Sequence, residues 1–220
     1  METPRWINGV EPPPHLLSAS GTQILEIECR EQPQRLLDLI RAYRSDSELR
    51  SQMKSFRRLS QTPGPVMFIG MGASYCSSFS ASTLLATHGK PSYSADAGEW
   101  LHYARPIWSD AALSVLLTTS GESAELVELM NAEDDRTLGL ICNNPASTCW
   151  NMTRNRLPIL AGPEYGNATK TYTNASSWLR CANMGSRAAA KISAARSASS
   201  SQGRSRTEDA RMMAAAVALV

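Results

Sequence analysis

Histidine and paired cysteine are scarce in this chain of 220 residues, and their scarcity removes a class of protein. The three histidines and five cysteines include no C-x-x-C pair, so no zinc ligand set is visible. Cys29, Cys76, Cys142, Cys149 and Cys181 are scattered and odd in number, which fits reduced, buried thiols better than a disulfide frame. Neither sign of charge dominates: 22 Lys and Arg stand against 20 Asp and Glu, giving a net charge of +2 with both signs interspersed. A nucleic-acid backbone would find no basic stripe here, so nucleic acid is not an expected partner. Apolar runs are short as well, the longest late one (212–220) being about half the roughly 20 residues of a membrane helix, and a membrane is not expected either. The opening METPRWINGVEPPPHLL has no cationic start, apolar core and small-residue cleavage site, so the default expectation is a cytoplasmic address.

What is present suffices for a core. Hydrophobic residues make up 42% of the chain, and its length suits one α/β domain. Residues 1–22, with Pro4, Pro12, Pro13, Pro14, Gly9 and Gly21, suggest a flexible lead. Over 23–58 the residues Ile24, Ile27, Leu36, Leu37, Ile40 and Leu49 fall near helical spacing, which predicts two or three helices, one of them beginning at Pro33. The period then changes. VMFIGM (66–71) is a short continuous apolar run after a Gly-Pro break, the pattern of a buried parallel strand, and a small, helix-compatible stretch follows it. Further runs at 111–118 (AALSVLLT), 137–142 (TLGLIC) and 157–160 each end in a polar loop, 92–95 is a shorter strand, and 98–103 looks helical. Strand, polar loop and helix in repetition predict a parallel sheet covered on both faces. Residues 176–220 differ: 27 of the 45 are Ala, Ser or Arg, as in a low-complexity segment.

In an open parallel sheet, ligands bind beyond the carboxyl ends of the strands, where loops enter helix N-termini. The polar residues of this sequence collect there. The loop after the first strand carries Gly72, Ala73, Ser74 and Tyr75, and the loop after the 111–118 run carries Thr118, Thr119, Ser120, Gly121, Glu122 and Ser123. Free N–H groups and the positive end of a helix dipole favour an anion, and hydroxyls add donors without bulk, so a phosphate is the natural guest. Helix capping by Ser120 or Ser123 explains the second loop equally well by itself. It does not explain why two hydroxyl-rich loops cluster at the expected ligand crevice.

These residues also carry a family resemblance. TTSGES and the acidic-aliphatic helix after it resemble the S-x-S-G-x-[ST] phosphosugar loop of sugar isomerase (SIS) domains, and GMGASY resembles their G-x-[GS]-[ST]-S-Y segment. ILEIECREQPQRL is similar to their E-I-x-x-Q-P lead helix, ADAGEWLHY to A-x-E-[FW]-x-Y, and AGPEYGNATKTYTNA to G-P-E-x-G-V-A-S-T-K-x-[FY]-T. The five motifs run in order over about 23–175, and together they look like the isomerase half of glutamine–fructose-6-phosphate aminotransferase and its stand-alone relatives. The resemblance implies an α/β fold: a single SIS domain at 23–175 with a flavodoxin-like parallel sheet, helices on both faces and N-terminal helices, followed by the 176–220 tail. It implies that Ser74, Thr118, Thr119, Ser120 and Ser123 hold a sugar phosphate, with Asn167, Ala168 and Thr169 near the sugar. Thr119 stands where the aminotransferases carry Gln, and the GPEYGNATK loop is one residue shorter than theirs. No metal or nicotinamide cofactor is implied, and the implied partners are a sugar phosphate and, through SIS surfaces, a second copy of the chain.

Other groups invite chemistry less strongly. Glu164 is the one weak catalytic candidate, an acid/base group in one reading; a structural ion pair or a helix-start anion, with Lys170 nearby, is the reading favoured. Cys76 beside the first loop has no histidine near it in sequence, and packing is the ordinary role of such a thiol. His88 and His102 are expected at the surface or in packing, and Trp100, Tyr103 and Trp108 in packing. One copy of the strand–loop–helix series is present, without a second phosphosugar loop, an N-terminal cysteine or a glutaminase-like segment. By resemblance, the groups that open the sugar ring come largely from a second SIS unit. The family-like text stops near Ala175, and a frameshift or mistaken gene model in a GC-rich gene would give such a tail. Eighteen of the 22 basic residues are arginine, in agreement with GC-rich coding. The expectation is thus a truncated SIS protein derived from an aldose-ketose isomerase or amino-sugar phosphate isomerase/deaminase of glucosamine/fructose 6-phosphate type. The alternative is a non-catalytic sugar-phosphate sensor.

Overall fold

The structure, a computed structural model, describes residues 13–104, 111–132, 137–166 and 169–183, and side chains only as far as residue 176. A short helix α1 (Pro14–Leu17) precedes α2 (Gly21–Ser45) and α3 (Ser47–Ser60). A reciprocal cap starts α2: Ser20 Oγ accepts from Gln23 N, and Gln23 Oε1 accepts from Ser20 N. This S-x-x-Q box satisfies two orphan donors at the helix start. It begins α2 inside the stretch read as a lead, in which Leu16 is buried. Pro33 does not begin a helix; it lies inside α2. Its ring removes the N–H that would bond the carbonyl of Cys29, and the apolar stripe of Ile24, Leu36, Leu39 and Tyr43 buried on both sides of it holds the helix through that gap. The break falls at Asp46, whose carboxylate accepts from Glu48 N and Leu49 N to cap α3.

Strand β1 (Val66–Gly70), α4 (Ala73–Thr87), β2 (Ser92–Asp96) and α5 (Ala97–Glu99) follow, and α5 continues into a π-helical turn, Trp100–Ala104. Then come β3 (Leu113–Thr118), α6 (Ala124–Ala132), β4 (Leu138–Cys142), α7 (Thr148–Met152), β5 (Arg156–Pro158) and α8 (Lys170–Asn183). Helix α8 therefore extends past residue 175, where the family-like text ends. The five strands are all parallel, in the order β2-β1-β3-β4-β5, which is the flavodoxin-like arrangement. The 157–160 run is a strand only as far as Pro158. Leu160 takes φ 56, a left-handed conformation that ends extended pairing. Asn143, just beyond β4, holds this bend: its Oδ1 accepts from Ala161 N at 2.9 Å and its Nδ2 donates to Gly162 O at 2.7 Å.

Period-two alternation divides each strand between two cores. Val66, Phe68, Val115, Leu117 and Ile141 join Leu39, Phe56, Ala81, Leu85 and Ala175 on the face covered by α2, α3, α4 and α8. Met67, Ile69, Leu116, Leu138 and Leu140 join Trp100, Leu126, Leu129 and Cys149 on the face covered by α5, the π turn, α6 and α7. With both faces buried, β1, β3 and β4 read as unbroken apolar runs. Tyr103, expected in packing, is 73% exposed; it stands beside His102 on the outer side of the π turn, where Trp100 takes the buried position. Trp108 lies outside the described residues.

Candidate functional site

The strand order reverses between β1 and β3, and two loops leave the sheet there. Behind β1, Gly70 carries no side chain because α4 starts against it: a Cβ would lie 2.9 Å from Tyr75 N and 3.0 Å from the Ser74 carbonyl carbon. The chain turns at Gly72 (φ 52) and enters α4 at Ala73, with no side-chain cap at Gly72. Ser74 thus sits in the first turn of a helix with no acidic residue in that turn. Its carbonyl accepts from Ser77 Oγ at 2.8 Å.

The loop behind β3 is folded by its own hydroxyls. Thr118 Oγ1 accepts from Gly121 N at 3.0 Å, and Ser120 Oγ accepts from Glu122 N at 3.2 Å. A hydroxyl used as acceptor keeps its proton, so shaping the loop does not use up the donors a phosphate needs. The loop is also braced from below. Asn144 Nδ2 donates to Ser120 O, Cys149 N donates to Gly121 O, and Glu122 Oε1 accepts from Thr148 N. Thr118 and Thr119 are buried, while Ser120 and Ser123 are half-buried, Ser123 immediately preceding α6.

Helix α8 forms the third wall. A closed crevice at the end of the sheet, too tight to admit a water molecule, is lined by Ala73, Ser74 and Ser77 of α4, Leu117 and Thr118 of β3, Ile159, and Thr171, Tyr172 and Ala175 of α8. Ser74 and Thr118, predicted from two separate motifs, meet in it. Thr119, Ser120 and Ser123 continue the loop from Thr118 toward α6. Asn167 and Ala168 lie outside the described residues. The Thr169 hydroxyl is within 3.3 Å of both Glu28 Oε2 and Glu164 Oε1, so it serves a carboxylate pair. Sequence reasoning missed Ser77, Thr171 and Tyr172 as crevice residues. Only the packing of α8 across the sheet end brings them there, although Thr171 and Tyr172 stand within the TKTYT motif.

Glu164 is a helix-start anion. It is 1% exposed, its Oε1 accepts from Lys170 N at 2.6 Å and Thr171 N at 3.0 Å, and its Oε2 accepts from Thr171 Oγ1 at 2.5 Å. It thereby satisfies the orphan amides of α8 with a charge that suits the helix dipole. Buried Lys170 pairs with Glu31 Oε2 at 2.7 Å and donates to Pro163 O at 2.8 Å. Glu31 also stands 3.7 Å from Arg35, one turn along α2.

The thiols divide. Cys142 and Cys149 are buried, as expected, but Cys29 and Cys76 are exposed. Cys76 lies one turn into α4, next to buried Ser77 and Ser78. Burial pushes the Cys142 thiol up, and it pushes Cys149 up to about 12, with Cys142 and Glu122 adding repulsion. Both stay protonated and poorly nucleophilic near neutral pH. A colorimetric thiol reagent at pH 7.5 is expected to modify Cys29 and Cys76 quickly, and Cys142 and Cys149 only after unfolding; rapid labelling of the latter pair, read by peptide mass, contradicts this packing. Because the folded values are raised, the unfolded chain releases these protons first, so stability falls as pH rises from about 8.5 toward 12. Among the described residues no group of His, Cys, Asp and Glu could hold a metal ion, and no helix is long and apolar enough to cross a membrane.

A parallel 2-1-3-4-5 sheet with hydroxyl loops at its switch point defines a class of α/β ligand-binding fold, and solved structures narrow that class. The C-terminal domain of glucosamine-fructose-6-phosphate aminotransferase from Francisella tularensis superposes with a TM-score of 0.57 at 18% identity, over 75% of this chain and 51% of that one. Tagatose-6-phosphate ketose/aldose isomerase from Escherichia coli gives a TM-score of 0.55 at 18% identity, over 79% and 50%. A protein of Escherichia coli CFT073, solved as a ligand complex, gives 0.59 at 19% identity, over 76% and 90%. This chain has the fold of the sugar isomerase domain, as one unit. It spans about half the length of the first two structures and nearly all of the third. No protein-family model matches the sequence, and no curated protein matches it either.

Proposed function

We propose that this chain is a phosphosugar-binding SIS domain whose parent activity is aldose-ketose isomerisation or amino-sugar phosphate isomerisation/deamination, of the glucosamine/fructose 6-phosphate type. One observation carries the reading. The hydroxyl loops of β1 and β3 leave the sheet side by side at the switch point of the parallel order, with Ser74 and Thr118 lining one closed crevice. The phosphate is held by Ser74, Thr118, Thr119, Ser120 and Ser123, and the sugar extends toward the 167–169 segment. Such a loop supplies binding and orientation, while a general base moves the proton between C1 and C2 of the open-chain sugar. The protein is cytoplasmic in this reading, associates as a homodimer through SIS surfaces, and takes neither nucleic acid nor membrane as a partner.

A sensor reading is favoured by one specific feature: Glu164, the weak catalytic candidate, is saturated by the start of α8. Exchange of the sugar C2 proton with solvent separates the two readings, since both bind sugar phosphate and only the enzyme exchanges that proton.

Binding is tested by thermal unfolding with millimolar fructose 6-phosphate or glucosamine 6-phosphate. Ligand at about 100 times its dissociation constant stabilises the folded state by roughly 2.7 kcal/mol and raises the midpoint. In Ser120→Ala most of that shift is lost while the unliganded midpoint stays within about 2 °C of wild type. A cooperative transition blind to both ligands refutes the assignment.

A further inference from the structure

Glu28 is a carboxylate in the middle of α2 that is only 2% exposed, on the same face as the apolar Ile24 and Leu36. A buried charge is costly unless its oxygens are hydrogen-bonded. Its own helix makes no use of it. Oε1 accepts from Tyr165 N at 2.5 Å and Gly166 N at 3.3 Å, and Oε2 accepts from Thr169 Oγ1 at 3.3 Å. All three donors belong to the segment that leads into α8. Gly166 lies so close to α2 that a Cβ there would stand 3.3 Å from Ile24 Cγ2 and 3.4 Å from Glu28 Oε2. Thr169 links Glu28 to Glu164, and Glu164 in turn holds the amides of Lys170 and Thr171. The single Thr169 proton is shared between the two carboxylates, so the interior of α2 and the start of α8 are tied to one segment, and Thr171 and Tyr172 of α8 line the closed crevice beside it.

We infer that Glu28 is a positioning residue: through Tyr165, Gly166 and Thr169 it fixes the α8 wall against which the sugar portion of a phosphosugar is read. The inference rests on the phosphosugar reading above, and it separates two parts of the ligand. The phosphate sits on the hydroxyl loop behind β3, whereas the hydrogen bonds of Glu28 go to Tyr165, Gly166 and Thr169. The sugar meets the wall that Glu28 sets. Gln at this position keeps the size and one oxygen for Tyr165 N and Gly166 N, but that neutral oxygen accepts more weakly than a carboxylate, and its amide replaces the acceptor facing the Thr169 hydroxyl with a donor.

The test compares wild type with Glu28→Gln by amide hydrogen exchange and by titration with fructose 6-phosphate and inorganic phosphate. In the variant, exchange in the peptide covering 165–169 quickens about tenfold or more while β1 and β3 peptides are unchanged, as expected for a local rather than a global opening. Fructose 6-phosphate binds about tenfold more weakly and inorganic phosphate within about twofold of wild type, since only the sugar contacts are misplaced. Glu28→Asp, which keeps the charge but draws it back from the loop, shows the same pattern and serves if Glu28→Gln does not fold. Unchanged exchange at 165–169 overturns the inference, and so does equal weakening of both ligands or of neither. Wild-type protein that binds neither ligand overturns the phosphosugar reading itself and the positioning role with it; normal wild-type binding with undisturbed discrimination in the variant overturns the positioning role alone.

Discussion

Gly121→Ala is expected to cost about 3 kcal/mol of stability, combining a left-handed residue that must now carry a Cβ with overpacking of a closed site. Gly121 has φ 70, and an added Cβ would lie 2.1 Å from Ser147 Oγ, 2.5 Å from Ser147 Cβ and 3.0 Å from Cys142 Sγ. None of these neighbours is a free side-chain end. Ser147 is fully buried, caps α7 by accepting from Trp150 N, and donates to Asn144 O, while Cys142 is the last residue of β4. Relief must therefore come from the loop, and the loop is the proposed phosphate site. Urea unfolding checks the stability, and the fructose 6-phosphate shift in thermal unfolding checks the binding, which is expected to vanish. A loss below about 1 kcal/mol with binding retained would mean that the loop yields easily and that Gly121 does not set its shape.

The second large effect is expected at Glu164. Removing its carboxylate in Glu164→Ala leaves the amides of Lys170 and Thr171 and the Thr171 hydroxyl buried without an acceptor, a loss of about 3–4 kcal/mol. Glu164→Gln keeps the size and one acceptor and is expected to lose about half of that. The order wild type, Gln, Ala in denaturant midpoint is the result that marks a structural anion. An acid/base role gives another pattern, in which Glu164→Gln folds with wild-type stability and loses C2 proton exchange. Lys170 supplies a further check on the same cluster. Its ammonium is buried between Glu31 and Pro163 O, so Lys170→Met, which removes the charge and leaves Glu31 half exposed to water, should disturb the fold less than Glu164→Ala.

The strands were legible because a parallel sheet with two covered faces writes itself as short apolar runs between glycines and prolines. The runs 66–71 and 111–118 contain β1 and β3, which are one and two residues shorter. Helix boundaries were less so. Pro33 resembles a helix start, and only the burial of Leu36, Leu39 and Tyr43 beyond it shows why α2 continues. The end of β5 was hidden for a related reason: Leu160 is apolar and strand-like in sequence, yet Asn143, seventeen residues earlier, bends the chain there. Ser74 and Thr118, the residues proposed to hold a phosphate, stand where their loops suggest, since hydroxyls behind parallel strands at helix starts are where phosphates are bound in such sheets.

Sequence by itself determined the class of fold, the two hydroxyl-rich loops behind β1 and β3 and the order of the motifs, since each depends on local period, turn chemistry and spacing. Tertiary structure decided which groups those loops meet. The sequence marks Glu164 as a helix-start anion but leaves Glu28, 136 positions away, without a role, and burial on one segment is what joins the two as anchors of α8. Thr171 and Tyr172 become part of the crevice only because α8 crosses back over the end of the sheet. Such contacts depend on chain crossing rather than on neighbours in sequence, and no local pattern encodes them.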